Sequence, residues 1–300
     1  MAVEVSHPDR VVFPDDGITK GELVAYYERI APLALPHLRR RPLTLQRWPQ
    51  GVGGPGFYTK ERPAHFPEWV GAATVPTSET VRKRRGGDLV MTVVDDAESL
   101  VYVANQGMIT PHVWLSTVDR PGHPDRLVVD LDPGPSPFRV VQDAALSLRE
   151  LLESVGLVPF VKTTGSSGLH VEVPLEPVAT IDEVRAAAET IAAVLAAGDP
   201  ERLTTEFSKS ERHGRLYLDV ARNGHAQTEV AAYGVRGLPG APVATPLEWD
   251  EVGRGDLTSR RWTIRNVFRR LARRADPYEG FAAAARPLPD VSSLTDRVPR

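Results

Sequence analysis

The segment Val128–Pro133, VVDLDP, places two carboxylates two residues apart. Side chains of an extended strand alternate between faces with period two. Val129 and Leu131 therefore share one face, and Asp130 and Asp132 share the other. Two neighbouring carboxylates at a strand end repel each other unless a cation lies between them. Oxygen donors of this kind suit Mg²⁺ and Mn²⁺. A third carboxylate from another strand would complete a two-metal clamp for phosphoryl or nucleotidyl transfer. The same alternation sets His170 and Glu172 opposite Leu169, Val171 and Val173, and sets Tyr217 and Asp219 opposite Leu216, Leu218 and Val220. Asp219 is thus the candidate third ligand.

A solvated sheet face would carry the same alternation, and DxD by itself has several uses. Haloacid-dehalogenase-like phosphatases place it after a strand with the first aspartate as nucleophile. Many glycosyltransferases use it to hold a sugar nucleotide's metal. The turn Thr163-Thr164-Gly165-Ser166-Ser167-Gly168 adds a second feature. Its glycines let backbone approach a phosphate, and its hydroxyls and N–H groups can donate to one. It is not a Walker A loop, because no Gly-Lys-Ser/Thr follows. A plain hairpin turn is the competing reading. His170 lies two residues beyond Gly168, within reach of a phosphate held there.

These residues must be carried by a framework, and the chain predicts one. Thr19 and Glu22 form a capping box before Leu23, Tyr26, Tyr27 and Ile30, which predicts a helix over 19–31 that stops at Pro32. Strands are predicted over 127–132, 158–164, 169–174, 215–220 and 228–232. Val141, Ala145, Leu148 and Leu152 line a helix opening near Pro137, and Thr180 with Glu183 caps another whose inner face is Val184, Ala188, Ile191 and Leu195. A short polar helix is expected after Pro200 and a long one over 259–275, with a loose tail after 285. The mixture is α+β.

The 300 residues carry a net charge of −3 and no cysteine. The balance argues against a general nucleic-acid coat protein. The missing cysteine excludes disulfides, thiolate nucleophiles and Cys-ligated zinc, and fits a reducing cytoplasm. No secretory signal or membrane-length apolar run is visible.

Taken together, VVDLDPGP, KTTGSSGLHVEVPL, LYLDVARNGHAQTEVAAYGVRGLPGAPVATPLEWDEV and the N-terminal TKGELVAYYERIAPLALPHLRRRPLTLQRWPQGVGGPGFYTKERP resemble the polymerase module of bacterial ligase D, of the archaeo-eukaryotic primase superfamily, over about residues 7–285 in the same order. The resemblance implies an RRM-like primase-polymerase core of mixed β-sheets flanked by helices with an N-terminal elaboration, as one module over 1–285 followed by a tail over 286–300. It implies Asp130, Asp132 and Asp219 as ligands of two Mn²⁺ or Mg²⁺ ions. Thr164, Ser166, His170, Arg222, Arg236 and His112 match positions around the incoming nucleotide. Phe57 and Tyr58 match an aromatic pair near the template base. Lys20 and Arg10 match a pocket for a downstream 5′-phosphate. The implied partners are DNA with a gap or end, NTP or dNTP, Ku and a DNA ligase, in the bacterial cytoplasm at the nucleoid and without a membrane.

The implied function is template-directed filling of short gaps or ends, with ribonucleotides preferred, in end joining or excision repair. At this length the ligase and phosphoesterase modules of ligase D have no room, so a stand-alone polymerase is expected. Two departures stand out. Ser167 replaces a family lysine, and Ala232-Tyr233-Gly234 replaces Pro-Tyr-Ser. The first keeps a DNA-end-binding module with weak catalysis as an alternative, beside the DxD phosphatase. The run Arg82-Lys83-Arg84-Arg85 suits a loop gripping a phosphate backbone. Seven arginines without an acid over 259–275 point to a polyanion or acidic partner.

Overall fold

The computed structural model describes residues 3–75 and 87–297, with side-chain burial given through Leu294. The basic run Arg82–Arg85 lies outside the described residues. The chain forms two compact units, each assembled from separate stretches. One comprises Met1–Pro121, Thr228–Ala244 and Trp262–Arg269, and the other Gly122–Gln227, Thr245–Arg261 and Arg270–Arg300.

In the first unit, β1 (Val11–Phe13) pairs with β2 (Ile18–Thr19), and α1 (Lys20–Leu38) follows. The Thr19–Glu22 capping box forms, but α1 runs past both Pro32 and Pro36. Each proline removes an N–H and frees the carbonyl four residues earlier. Both prolines and Glu28 lie on the exposed side of α1, so the freed carbonyls of Glu28 and Pro32 can be hydrated. The opposite side, with Leu23, Tyr26, Tyr27, Ile30 and Leu38, is buried and keeps the helix docked. Strands β3 (Leu43–Arg47), β4 (Phe57–Thr59), β5 (Ala72–Val75), β6 (Leu89–Thr92), β7 (Met108–Trp114) and β13 (Thr228–Val230) make one sheet in the order β13-β7-β3-β6-β5, with β4 added to β3. Helix α2 (Ala97–Asn105) packs on α1. Two buried phenols tie α1 to this unit. Tyr26 donates to the Tyr233 carbonyl at 2.7 Å, and Tyr27 to the Ile109 carbonyl at 2.5 Å.

The second unit holds β8 (Arg126–Asp132), β9 (Phe160–Thr163), β10 (Leu169–Pro174), β11 (Leu203–Thr204), β12 (Leu216–Asp219) and β14 (Pro246–Leu247) in the order β11-β12-β8-β10-β9-β14. Only β11–β12 is parallel; the other pairs are antiparallel. Helices α3 (Phe138–Glu153) and α4 (Ile181–Gly198) pack on this sheet, with Val141, Leu148, Val184 and Ile191 fully buried. The Thr180–Glu183 capping box opens α4 as the sequence predicts. After Pro200 the chain makes β11 and a series of turns in place of the expected polar helix. The tail is docked: Val291 and Leu294 are buried, and the turn that carries them contacts α4.

The long arginine-rich helix is absent. Beyond the short helix α5 (Trp249–Val252), the helical part of 259–275 is α6 (Val267–Leu271). Upstream of α6 the backbone is committed elsewhere in the first unit: Val243 N–H donates to the Trp262 carbonyl, Ile264 N–H to Ala241, and Thr263 bridges Pro242. The arginines also find partners that a local count cannot see. Arg265 approaches Glu22 in the first unit. In the second, Arg270 pairs with Glu251, Arg274 with Asp250 and Arg261 with Asp256. Four of the seven arginines thus face an acidic side chain within the fold.

Candidate functional site

The second unit brings five of the predicted residues, His170, Asp130, Asp132, Asp219 and Arg222, into one cluster. Strand register places His170 on β10 and Asp219 on β12 as the direct neighbours of Asp130 on β8. Residues in register point to the same face of a sheet, so the three side chains form a row. His170 Nε2 lies 3.4 Å from Asp130 Oδ2. Asp132 is two residues further along the same face of β8, opposite Tyr217. Its side chain is 41% exposed, whereas those of Asp130 and Asp219 are 16% exposed. The reading of this face as simply solvated does not hold, because His170 and Glu172 are both buried.

Arg222 reaches over the row from the turn after β12. Its guanidinium lies 3.7 Å from Asp130 Oδ2 and 3.6 Å from Asp219 Oδ2. The turn is pinned by Asn223, whose buried side chain accepts from Val128 N–H at 2.9 Å and donates to the Val128 and Val220 carbonyls at 2.7 and 2.8 Å. Arg212, which the motifs did not single out, lies over the Tyr217 ring at 3.8 Å and 3.6 Å from Asp132 Oδ2. Burial first, and the Asp219 carboxylate second, hold the Tyr217 phenol above its ordinary pKa. Two cationic side chains thus stand against three carboxylates. The donor set is all-oxygen with an imidazole beside it, and Arg222 bridges two carboxylates where positive charge is required. These residues fit hard divalent ions.

The turn after β9 is organised by Thr164. Its hydroxyl oxygen accepts from Ser166 N–H and Gly168 N–H, each at 3.2 Å, and donates to the Gly168 carbonyl at 3.1 Å. Ser259 donates to the same carbonyl at 2.9 Å, and Arg260 to the Ser166 carbonyl at 2.8 Å. Gly168 is required by close approach: a Cβ there would meet the Leu131 carbonyl oxygen at 1.9 Å. The turn is therefore packed directly on the strand that carries Asp130 and Asp132. Ser167, at the position of the missing lysine, is exposed.

The first unit holds two further groups of predicted residues and, apart from them, Arg236. Lys20, the first residue of α1, and Arg10 line one cavity of ≈300 Å³ together with Ser6, His7 and Arg47. Lys20 Nζ donates to the Ser6 carbonyl at 2.7 Å and the Ser6 hydroxyl at 2.8 Å, and Arg10 donates to the Pro49 carbonyl at 2.9 Å. Burial, then the Arg10 charge, push the Lys20 ammonium below its ordinary pKa. A helix N-terminus with two cations beside it favours an anion. Phe57 and Tyr58 are 48% and 58% exposed and, as consecutive strand residues, point to opposite faces. Tyr58 meets the His112 ring edge-on at 5.7 Å, and His112 Nε2 lies 3.5 Å from Gln46 Oε1. Phe57 lies under the Arg47 guanidinium at 5.7 Å. Arg236 is half-buried, its N–H bonded to the Pro242 carbonyl at 2.7 Å.

The family model for the LigD primase-polymerase domain matches residues 19–278. The chain belongs to the LigD primase-polymerase family. It is 33% identical over 292 residues to the multifunctional non-homologous end joining DNA repair protein LigD of Mycobacterium tuberculosis (strain ATCC 25618 / H37Rv), covering 94% of this chain and 37% of that protein. It is 34% identical over 286 residues to LigD of Pseudomonas aeruginosa, covering 93% of this chain and 33% of that protein. The solved polymerase domain of Mycobacterium tuberculosis ligase D in complex with DNA superposes with a TM-score of 0.86 at 32% identity, over 94% of this chain and 99% of that one. The chain thus spans about a third of the length of these curated relatives.

As a LigD primase-polymerase, the chain is a DNA-directed nucleotidyltransferase, and this displaces the DxD-phosphatase reading. Polymerase chemistry of this family implies divalent metal. Among the described residues no helix is long and apolar enough to cross a membrane. Sequence motifs missed Arg212, Asn223 and Ser259. Arg212 sits seven residues before Asp219 in a polar stretch with no periodic signal, and the bonds of Asn223 to Val128 and of Ser259 to Gly168 are tertiary contacts.

Proposed function

We propose that this LigD-type module fills short gaps and ends in DNA by template-directed nucleotidyl transfer, with ribonucleotides preferred. The observation that supports this most is the in-register row of His170, Asp130 and Asp219 beside Asp132. Divalent ions, Mn²⁺ or Mg²⁺, held by the three aspartates would supply the Lewis acidity that eases ionisation of a primer 3′-hydroxyl and offsets charge on the leaving pyrophosphate. Arg222 balances Asp130 and Asp219 until substrate binds. His170 is placed to orient a triphosphate oxygen, and the turn that Thr164 organises carries the Ser166 hydroxyl as a further phosphate donor. His112 and Arg236 are nucleotide contacts of the first unit. Lys20 and Arg10 receive the downstream 5′-phosphate, and Tyr58 and Phe57 offer ring faces to bases without reading sequence. Positioning and charge neutralisation carry the catalysis.

The substrates of this reading are NTP or dNTP and DNA carrying a gap or end with a 5′-phosphate. Ku and a DNA ligase are its further partners, in the bacterial cytoplasm at the nucleoid. The end-joining names of the relatives favour this setting over excision repair. The test is extension on gapped DNA with a 5′-phosphate, in Mn²⁺ or Mg²⁺, with NTP or dNTP. Incorporation lost in Asp130→Asn and Asp132→Asn supports the reading. Tight DNA binding with no incorporation in either metal supports an end-binding module instead.

A further inference from the structure

The face of the second unit's sheet that carries Asp130 and His170 holds a second set of charges that this chemistry does not use. Lys162 on β9 is the register neighbour of His170, and Glu172 follows His170 on the same face of β10. Lys162 Nζ forms an ion pair with Glu172 Oε1, and both side chains are 0% exposed. Arg126 NH1 approaches the other carboxylate oxygen, Glu172 Oε2, at 3.4 Å and is also buried. Arg126 is held in turn by Asp125, 3.7 Å from its Nε, and by the Phe281 ring at 5.1 Å. Glu172 is therefore fixed from both sides, by one cation reaching diagonally from β9 and one from β8.

This trio stands one step from the row of His170, Asp130 and Asp219. A ring nitrogen of His170 and a carboxylate oxygen of Glu172 lie within 4.8 Å of each other. His170 Nε2 also approaches Asp130 Oδ2, on the catalytic side. A buried ion pair adds little stability over apolar side chains of the same volume. Its distinctive property is geometric: it holds a carboxylate at a fixed place in a dry interior. Here that place is beside the imidazole that faces Asp130.

We propose that Lys162, acting through Glu172, is a positioning residue for His170. The ion pair fixes the Glu172 carboxylate, and that carboxylate limits rotation of the His170 ring, so the ring nitrogen facing Asp130 is already aimed when a nucleotide arrives. The inference rests on the polymerase reading above for the role of His170, but not for the geometry.

The test uses the whole chain with three variants: Lys162→Met, Lys162→Met with Glu172→Gln, and Lys162→Arg. Lys162→Met leaves Glu172 short of a partner and should lower the melting temperature. The double variant removes the uncompensated charge and should melt within about 3 °C of wild type, a minor change for a chain of this size. It should nonetheless show nucleotide KM raised by about tenfold with kcat within about threefold, the pattern of lost nucleotide binding. Its His170 ring resonances, in ¹⁵N-imidazole spectra assigned with His170→Asn, should shift or broaden. Lys162→Arg, which keeps the charge, should move both readouts back toward wild type; if the double variant does not fold, Lys162→Met read below its melting temperature takes its place, with the same expected rise in KM and the same change in ring resonances. A purely structural ion pair predicts that the double variant regains melting temperature, KM and ring resonances together, and that result overturns the proposal. If the wild type extends no primer, the polymerase reading falls, and the ring resonances alone decide this inference.

Discussion

Replacing Gly168 with alanine tests the claim that the turn after β9 and the aspartate strand form one rigid piece. The new Cβ would sit 1.9 Å from the Leu131 carbonyl oxygen, where ordinary contact begins near 3.4 Å. About 1.5 Å of displacement is needed, and the obstacle is backbone rather than the end of a flexible side chain. If the turn yields, it loses the Thr164 N–H bond to Gly168 at 3.0 Å, the Gly168 N–H bond to the Thr164 hydroxyl at 3.2 Å and the Ser259 bond at 2.9 Å. At about 1 kcal/mol for each bond, with about 1 kcal/mol or more for residual overpacking, the loss is on the order of 3 to 5 kcal/mol. If β8 yields instead, stability falls less, but Asp130 and Asp132 shift against Asp219 and His170, and a shift of about 1 Å at reacting groups can cost on the order of 100-fold in rate. The second route predicts incorporation down by about 100-fold with a small loss of stability, the first a large loss of stability, and urea unfolding tells them apart. Ser167→Ala, one residue away and exposed, is the control and should behave as wild type. A Gly168→Ala protein destabilised by less than about 1 kcal/mol and still incorporating nucleotide at the wild-type rate would refute the reasoning.

Asp219→Asn should abolish incorporation, by about 1,000-fold or more, while affinity for DNA bearing a 5′-phosphate changes little, as read by anisotropy. Lys20→Ala should erase the preference for 5′-phosphate over 5′-hydroxyl ends in the same assay. Because the folded chain holds Lys20 below its ordinary value of 10.5, the unfolded chain binds more protons just below that pH. Lys20 therefore makes stability rise with pH in the window between its depressed value and 10.5, and Lys20→Met should flatten that rise in urea titrations. In the same window the 5′-phosphate advantage of the wild type should fall as the ammonium loses its proton. Arg270→Leu breaks a buried pair with Glu251 and should cost about 3 to 5 kcal/mol. Arg274→Ala, at a partly exposed pair with Asp250, should cost less than about 1 kcal/mol. Equal losses in denaturation at the two sites would contradict the structural role assigned to this arginine-rich segment.

Local sequence determined those features that depend on near neighbours. The capping boxes at Thr19 and Thr180 set two helix starts, because a cap needs only the residues three positions on. Period-two alternation put Asp130 and Asp132 on one face and delimited β10 as Leu169–Pro174. The family itself was legible, because its motifs recur in order along most of the chain. Tertiary structure decided whatever depends on register and on distant partners. Three strands separated by tens of residues had to pair before Asp219 and His170 could flank Asp130. The helix predicted over 259–275 gave way to backbone pairing with 241–243, and the arginines it was to carry met acids from other segments. Pro32 did not end α1, because the carbonyl it frees is on the exposed side while the opposite side packs inward. Burial of Glu172 between Lys162 and Arg126 was also beyond the sequence, since alternation assigns a side chain to a face but only the packed fold decides whether water reaches that face.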